Sequence, residues 1–329
     1  MSRPNYTART ATVDGFEVAR LADAAARTEV SIARTFGNNA YEMKVNGKNL
    51  LWSPFTLKQL RARPEFVGIP LMAPWANRLD WDGFHVNGRR YALKPELGNF
   101  LRDGNGYPIH GLLAFSPDWE LVAAEADGQG ARVTSRLEFG RHPSLMAQFP
   151  FAHAVEMTHR LRDGVLEVET RLENQGDEPM PVSLGYHPFF RIHDAPRAAW
   201  RVTIPARAQM LVSDEFLPTG RTAPLDLPAS SPLPALDPAY IFSSLRRETH
   251  GGAEFRLEGE KERITVVQGP RFGLSVFYAP PDGDFVCFEP MAATVNALNP
   301  AKDGRWHRVE KIRPGGSWQE SFWIQPSGF

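Results

Sequence analysis

Two short stretches hold residue types that could move protons. The first is Phe285-Val286-Cys287-Phe288-Glu289-Pro290, an apolar run that ends in a carboxylate. At the strand period of two, Cys287 and Glu289 share one face while Val286 and Phe288 fill the other. Burying a glutamate at the end of such a run costs free energy unless it is paired. Partial burial raises its pKa toward neutrality, the range useful to a general base. Left in water, the same residue is an ordinary strand-end charge. Cys287 reads as a small buried core residue more readily than as a nucleophile.

The second stretch is Pro181-Val182-Ser183-Leu184-Gly185-Tyr186-His187-Pro188-Phe189-Phe190-Arg191-Ile192. Here Val182, Leu184 and Tyr186 alternate with Ser183, Gly185 and His187, so the histidine shares a strand face with two small residues. Small neighbours leave space in which an imidazole can meet a ligand. Pro188 removes a ladder donor, as expected at a strand end or bulge. A strand histidine of this kind is either structural or ligand-facing, and the stretch alone leaves both open. His153 and His159 share strand parity too, but their spacing is no recognised metal-ligand spacing. The expectation is chemistry without metal or cofactor.

The elements that must position these residues are mostly strands. Asn46-Gly47, Asn87-Gly88 and Asp163-Gly164 each separate two alternating runs and predict tight hairpins. The last joins Ala154–Leu161 to Val165–Leu172 and leads through the polar turn 173–179 into the histidine stretch. Thr56–Ala62 predicts a turn or two of helix. The segment 213–239 carries six prolines and predicts a long surface excursion. Many strands, frequent turns and few short helices predict an all-β protein, a large antiparallel β-sandwich, with 1–329 as a single domain.

Composition narrows the function classes. Lys plus Arg total 37 against 38 for Asp plus Glu, which gives no excess charge for a broad nucleic-acid surface. One cysteine allows neither an internal disulfide nor a cysteine zinc cage. Residues 1–9 lack the apolar core of a signal peptide, and no run has the length and apolarity of a membrane span. The expectation is a soluble, cytoplasmic protein with neither nucleic-acid nor membrane partners.

The order of the pieces resembles a known family. Ile69-Pro70-Leu71-Met72-Ala73-Pro74-Trp75-Ala76-Asn77-Arg78-Leu79 is similar to its Pro-rich segment ending in Asn-Arg-Ile/Leu. His110-Gly111-Leu112 is similar to its His-Gly-Leu/Phe motif. Gly185–Arg191 resembles its His-containing aromatic motif. Glu289-Pro290-Met291 with Val295-Asn296-Ala297 resembles its C-terminal Glu motif. The family is the aldose 1-epimerases, or galactose mutarotases, and the resemblance runs over roughly residues 15–325. Where the best-known members carry Glu-Thr-Gln and His-Ser-Tyr-Phe-Asn-Leu, this chain has Glu-Pro-Met and Tyr-His-Pro-Phe-Phe-Arg, a divergent branch.

The resemblance implies a galactose mutarotase-like supersandwich with a sugar cleft on a concave sheet. It implies Glu289 as general base and His187 as general acid, with Arg78 and His110 on sugar oxygens and Asn77 beside them. Asp237 is the best match to a hydroxyl-binding aspartate. It implies an isomerase that opens and recloses the ring of a free hexose, acting as monomer or homodimer on a small sugar. An aromatic such as Trp75 or Tyr186 either stacks on the sugar or packs in the core. Two other readings share the fold: an epimerase of hexose 6-phosphates, for which Arg191 and Arg197 are the nearby cations, and a carbohydrate-binding protein without catalysis.

Overall fold

The computed structural model describes residues 5–228, 230–301, 303–305 and 307–329; Met1–Pro4, Ala229, Lys302 and Trp306 lie outside them. Two large antiparallel sheets carry the fold. In one, nine strands run in the order Glu120–Ala126, Ala131–Glu138, His153–Arg162, Val165–Asn174, Ser317–Ser327, Arg263–Gln268, Ala253–Glu258, Arg201–Thr203, Ser231–Pro232. The other contains eight. Its path runs Pro218–Pro224, Ala206–Val212, Ala239–Leu245, Leu274–Tyr278, Val286–Met291, Gly185–Tyr186, Leu71–Met72, and Phe189–Phe190 also pairs with Val286–Met291. A five-stranded meander, Tyr6–Val13 through Lys48–Asn49, covers part of the first sheet.

The sheets face each other because their alternation is in phase. Val165–Asn174 buries Leu166, Val168, Thr170, Leu172 and Asn174 and leaves the residues between them more exposed. Across the interface Phe288 packs on Phe255 at 5.4 Å, and Tyr186 packs on Phe322 at 4.9 Å. Each such aromatic pair contributes about 0.5–1.5 kcal/mol beyond its area burial. The Tyr186 hydroxyl shares a hydrogen bond with that of Thr170, so this hydroxyl is not stranded between the layers. One apolar cluster runs from Tyr6 to Ile324.

The predicted hairpins form at Asn46-Gly47, Asn87-Gly88 and Asp163-Gly164. Asn46, Asn87 and Asp163 take φ near +50°, as a tight turn between twisted strands requires. The helix spans Leu57–Ala62. Thr56 caps it, accepting from the Gln59 amide while the Gln59 side chain accepts from the Thr56 amide. The proline-rich excursion differs from expectation. Pro218–Pro224 pairs with Ala206–Val212, and Ser231–Pro232 pairs with Arg201–Thr203, so parts of the segment extend both sheets at their edges. Proline is tolerated there because an edge strand has donors with no ladder partner. A second short helix, Pro143–Gln148, goes beyond the sequence expectation; proline at its start supplies the fixed φ of a first helical residue.

Candidate active site

Glu289 sits within Val286–Met291, in the middle of the eight-stranded sheet. Its neighbours Val286 and Phe288 belong to the inter-sheet core, so Glu289 must point to the opposite face. Gly185–Tyr186 and Phe189–Phe190 both pair with this strand, and His187 stands between them. Its amide donates to the Pro70 carbonyl at 3.0 Å. The imidazole Nε2 lies 3.3 Å from Glu289 Oε1, and both side chains are buried. Gly185 does not leave open space beside the imidazole, contrary to expectation. A Cβ there would lie 2.9 Å from the Pro290 carbonyl oxygen, so the glycine serves close strand approach. The space around His187 is filled by rings: Phe189 stacks on it at 4.5 Å, and His110, Phe66 and Tyr278 meet it at 5.5, 5.9 and 5.9 Å.

Arg78 and His110 arrive on two loops zipped together. The His110 amide donates to the Asn77 carbonyl, and Leu112 donates to that of Ala73. Gly111 takes φ +71°, and a Cβ on it would lie 2.2 Å from the Ala73 oxygen, so only glycine fits. Asn77, His110 and Asn296 all adopt φ between 56° and 63°, a conformation in which Asn and His are among the enriched non-glycine residues. Asn77 Oδ1 accepts from both the amide and Nη1 of Arg78 at 3.0 Å. Asp103 takes Arg78 Nε, and the guanidinium lies over Phe216. Asn296, in the C-terminal motif, holds this loop from the other side: its amide donates to the Arg78 carbonyl.

Glu289, His187, Arg78, His110 and Asn77 therefore line one cleft of about 560 Å³. Asp237 is not among its lining residues. It is exposed, and its amide bonds the Tyr240 hydroxyl, so its backbone position precedes the cleft-lining Ala239 without reaching the cleft. Trp75 and Tyr186 are fully buried core residues. The aromatic lining comes instead from Trp52, Phe66, Phe189, Phe216, Tyr278 and Phe285, with Glu65 as a further carboxylate. They come from separate segments, and only Phe189 and Phe285 lie in the two stretches that the sequence singles out.

The match that decides the family extends over nearly the whole chain: the aldose 1-epimerase model covers residues 20–321. The chain belongs to the aldose 1-epimerase family. Its fold is that of galactose mutarotase-like proteins. A galactose mutarotase-like protein of Clostridium acetobutylicum superposes with a TM-score of 0.86 at 20% identity, with 99% of each chain covered. The Slr1438 protein of Synechocystis sp. PCC 6803 gives 0.74 at 24% identity, with 100% of this chain and 97% of that one covered. Galactose 1-epimerase of Lactobacillus acidophilus gives 0.76 at 14% identity, with 98% and 100% covered.

Burial sets the electrostatics of this family member's cleft. It pushes the Glu289 carboxyl well above its ordinary value, against the pull of the Arg78 guanidinium. The same burial brings His187 down to about 4. His110 is held well below the usual imidazole range by burial, then by His187 and Arg78. The pair at 3.3 Å thus favours its uncharged form, with one proton between carboxyl and imidazole, rather than the carboxylate and imidazolium implied at the sequence level. Among the described residues that line the cleft, three buried side-chain atoms have no hydrogen-bond partner within the protein: His110 Nδ1, His187 Nδ1 and Glu289 Oε2. Unpaired buried polar atoms are costly, and a polyhydroxyl ligand offers them partners. His153 and His159 lie elsewhere, buried in the nine-stranded sheet. His153 stacks on Phe139 at 4.2 Å and its Nδ1 meets the Phe151 carbonyl.

Proposed function

We propose that this chain interconverts the α and β anomers of a free hexose. The observation that carries the reading is the buried His187–Glu289 contact at the floor of the cleft, with Arg78, His110 and Asn77 on its walls. One proton passing from Glu289 to His187 turns the neutral pair into carboxylate and imidazolium without changing the proton count. Arg78 favours the carboxylate. Glu289 then removes the O1 proton while His187 donates to the ring oxygen O5, and the C1–O5 bond opens to the free aldehyde. Rotation about C1–C2 presents the other face, and the reverse transfers reclose the ring. Each positioned group is worth about 10²–10⁴-fold. Arg78 and His110 hold sugar oxygens so that the open chain recloses in place.

A free sugar fits better than a phosphorylated one because the nearby cations are already engaged. Arg78 pairs with Asp103, and Arg102 forms a two-pronged pair with Asp82. Arg191 pairs with Asp284, and Arg197 donates to the carbonyls of Ala279 and Pro280. A phosphate dianion needs donors that are not already neutralised. Anomeric exchange followed by NMR on glucose, galactose and glucose 6-phosphate tests the reading. The expected result is faster exchange of a free hexose than of the phosphate ester, with kcat lowered at least about 10²-fold in Glu289→Gln. Wild-type turnover in that variant would remove Glu289 from the mechanism. A large preference for the phosphate ester would move the substrate to the phosphorylated class.

A further inference from the structure

We infer that the cleft holds a second subsite beside His187, shaped for an uncharged ring attached through O6 of the aldose, so that 1→6-linked reducing disaccharides are substrates. The inference rests on the anomer-interconverting reading. If His187 serves the ring oxygen O5, the sugar's orientation follows, because O5 and C6 are both borne on C5. Whatever adjoins His187 on the side away from Glu289 then adjoins the substituent at C6.

An aromatic run adjoins His187 toward the Phe285 end of Val286–Met291, where Phe189 pairs with Cys287 two residues short of Glu289. Phe189 stacks on His187 at 4.5 Å with 17° between planes. Trp52 tilts against Phe189 at 5.6 Å and against Phe285 at 4.8 Å. Phe55 stands edge-on to Trp52 at 6.3 Å, outside the residues that line the cleft, and is 37% exposed at its rim. The run leads from a buried imidazole to solvent. The C–H face of a pyranose is apolar and carries slight positive charge, which suits the negative face of an aromatic ring. Glu65 lines the same cleft, and the partner of its carboxylate, Arg63, projects into solvent. A carboxylate at this place accepts hydroxyls and repels a phosphate. The space is also larger than one ring needs: a hexose has roughly the bulk of six waters, about 180 Å³ at the ~30 Å³ share of one water, against about 560 Å³ in the cleft. Aromatic faces, an acceptor and spare volume next to C6 together describe a second sugar ring.

The test compares anomeric exchange by NMR for glucose, glucose 6-phosphate, maltose (1→4) and isomaltose (1→6), in wild type and in Phe55→Ala. If galactose is the accepted hexose, the 1→4 and 1→6 galactobioses take the place of the glucose disaccharides. The expected kcat/KM for the 1→6 disaccharide is at least that of its parent hexose and clearly above that of the 1→4 isomer. Phe55 is exposed, so its removal spares the core, and the parent hexose is the internal reference. In Phe55→Ala the ratio of 1→6 disaccharide to hexose should fall about two- to tenfold, mainly through KM, the worth of one aromatic contact. Exchange of the hexose with no preference for the 1→6 over the 1→4 disaccharide would overturn the subsite and leave the epimerase reading standing. So would an unchanged ratio in Phe55→Ala, or a preference for glucose 6-phosphate over isomaltose. No catalysed exchange of any of these sugars would overturn both.

Discussion

His187 and Glu289 are shifted in opposite directions by one cause, loss of water, and each shift favours the uncharged form. The working state of the pair carries one proton. It gains a second only when the pH falls through the lowered value of His187, about 4, and loses its last only above the raised value of Glu289. Because the two groups touch, the titration belongs to the pair. The expected kcat/KM profile is therefore flat from pH 7 to about pH 5 and falls below that, whereas an ordinary imidazole acting as the acid or base would bend the curve near 6.5. Rates of α-glucose or α-galactose mutarotation at constant ionic strength, corrected for the buffer reaction, check this. A break at pH 6.5 would show that His187 is solvated in the working enzyme. At this scale the sequence was informative: Glu289, His187, Arg78, His110 and Asn77 were each legible from type and motif. Asp237, matched by its place just before an apolar strand, does precede the strand Ala239–Leu245 but is exposed and outside the cleft lining.

Among the elements, the pairing of Gly185–Tyr186 with Val286–Met291 fixes the distance between His187 and Glu289. Gly185 pairs with Met291 on one side and Met72 on the other, and the Pro290 carbonyl approaches it closely. Gly185→Ala places a methyl 2.9 Å from that oxygen and 3.1 Å from both Ala76 Cβ and Met291 Cγ. Two of these contacts lie on the residues just after Glu289, so the strands must part where His187 meets Glu289. Overpacking of this kind costs about 1–3 kcal/mol. We expect a lower midpoint in urea together with a fall in kcat larger than the stability loss accounts for, since the variant stays folded at assay temperature. Unchanged kcat would mean that the strands can part without moving His187 from Glu289. Hairpins were readable because Asn-Gly and Asp-Gly meet a local backbone requirement. Which strands pair across 100 residues has no such local signature.

Among the described residues burial holds five imidazoles below the ordinary value: His307, which is half-buried, and four deeper ones. Burial brings His153, His159 and His187 to about 4 and His110 well down. Between pH 6.5 and 4 the unfolded chain binds protons that these groups refuse in the fold, so their contribution is complete above 6.5 and is lost as pH falls toward 4. Glu289 has the opposite sign, because its raised value favours the fold below 4.5 and disfavours it as pH rises. Four imidazoles outweigh one carboxyl, and the net expectation is a thermal midpoint that drops by several degrees from pH 7 to pH 5. His159 is the cleanest probe, as neither ring nitrogen has a hydrogen-bond partner. Calorimetry at pH 7, 6 and 5 should show a shallower pH dependence in His159→Phe than in wild type. An identical slope would mean that His159 takes up its proton in the folded state.

The sequence by itself determined the class of the fold and picked out the two residues proposed to react. Strand alternation, Asn-Gly turns and the position of a glutamate at the end of an apolar run are constraints that act within a few residues, and a linear reading can see them. Only the tertiary structure decided what surrounds that pair. Trp52, Glu65, Phe66, Tyr278 and Phe285 meet in the cleft because separate strands and loops converge there, and Trp75 and Tyr186 leave it because the opposite face of the sandwich claims them. Burial is likewise a property of the assembled sheets. The same carboxyl and imidazole that would be charged on an exposed strand are driven toward neutrality once both sheets and the loops above them exclude water.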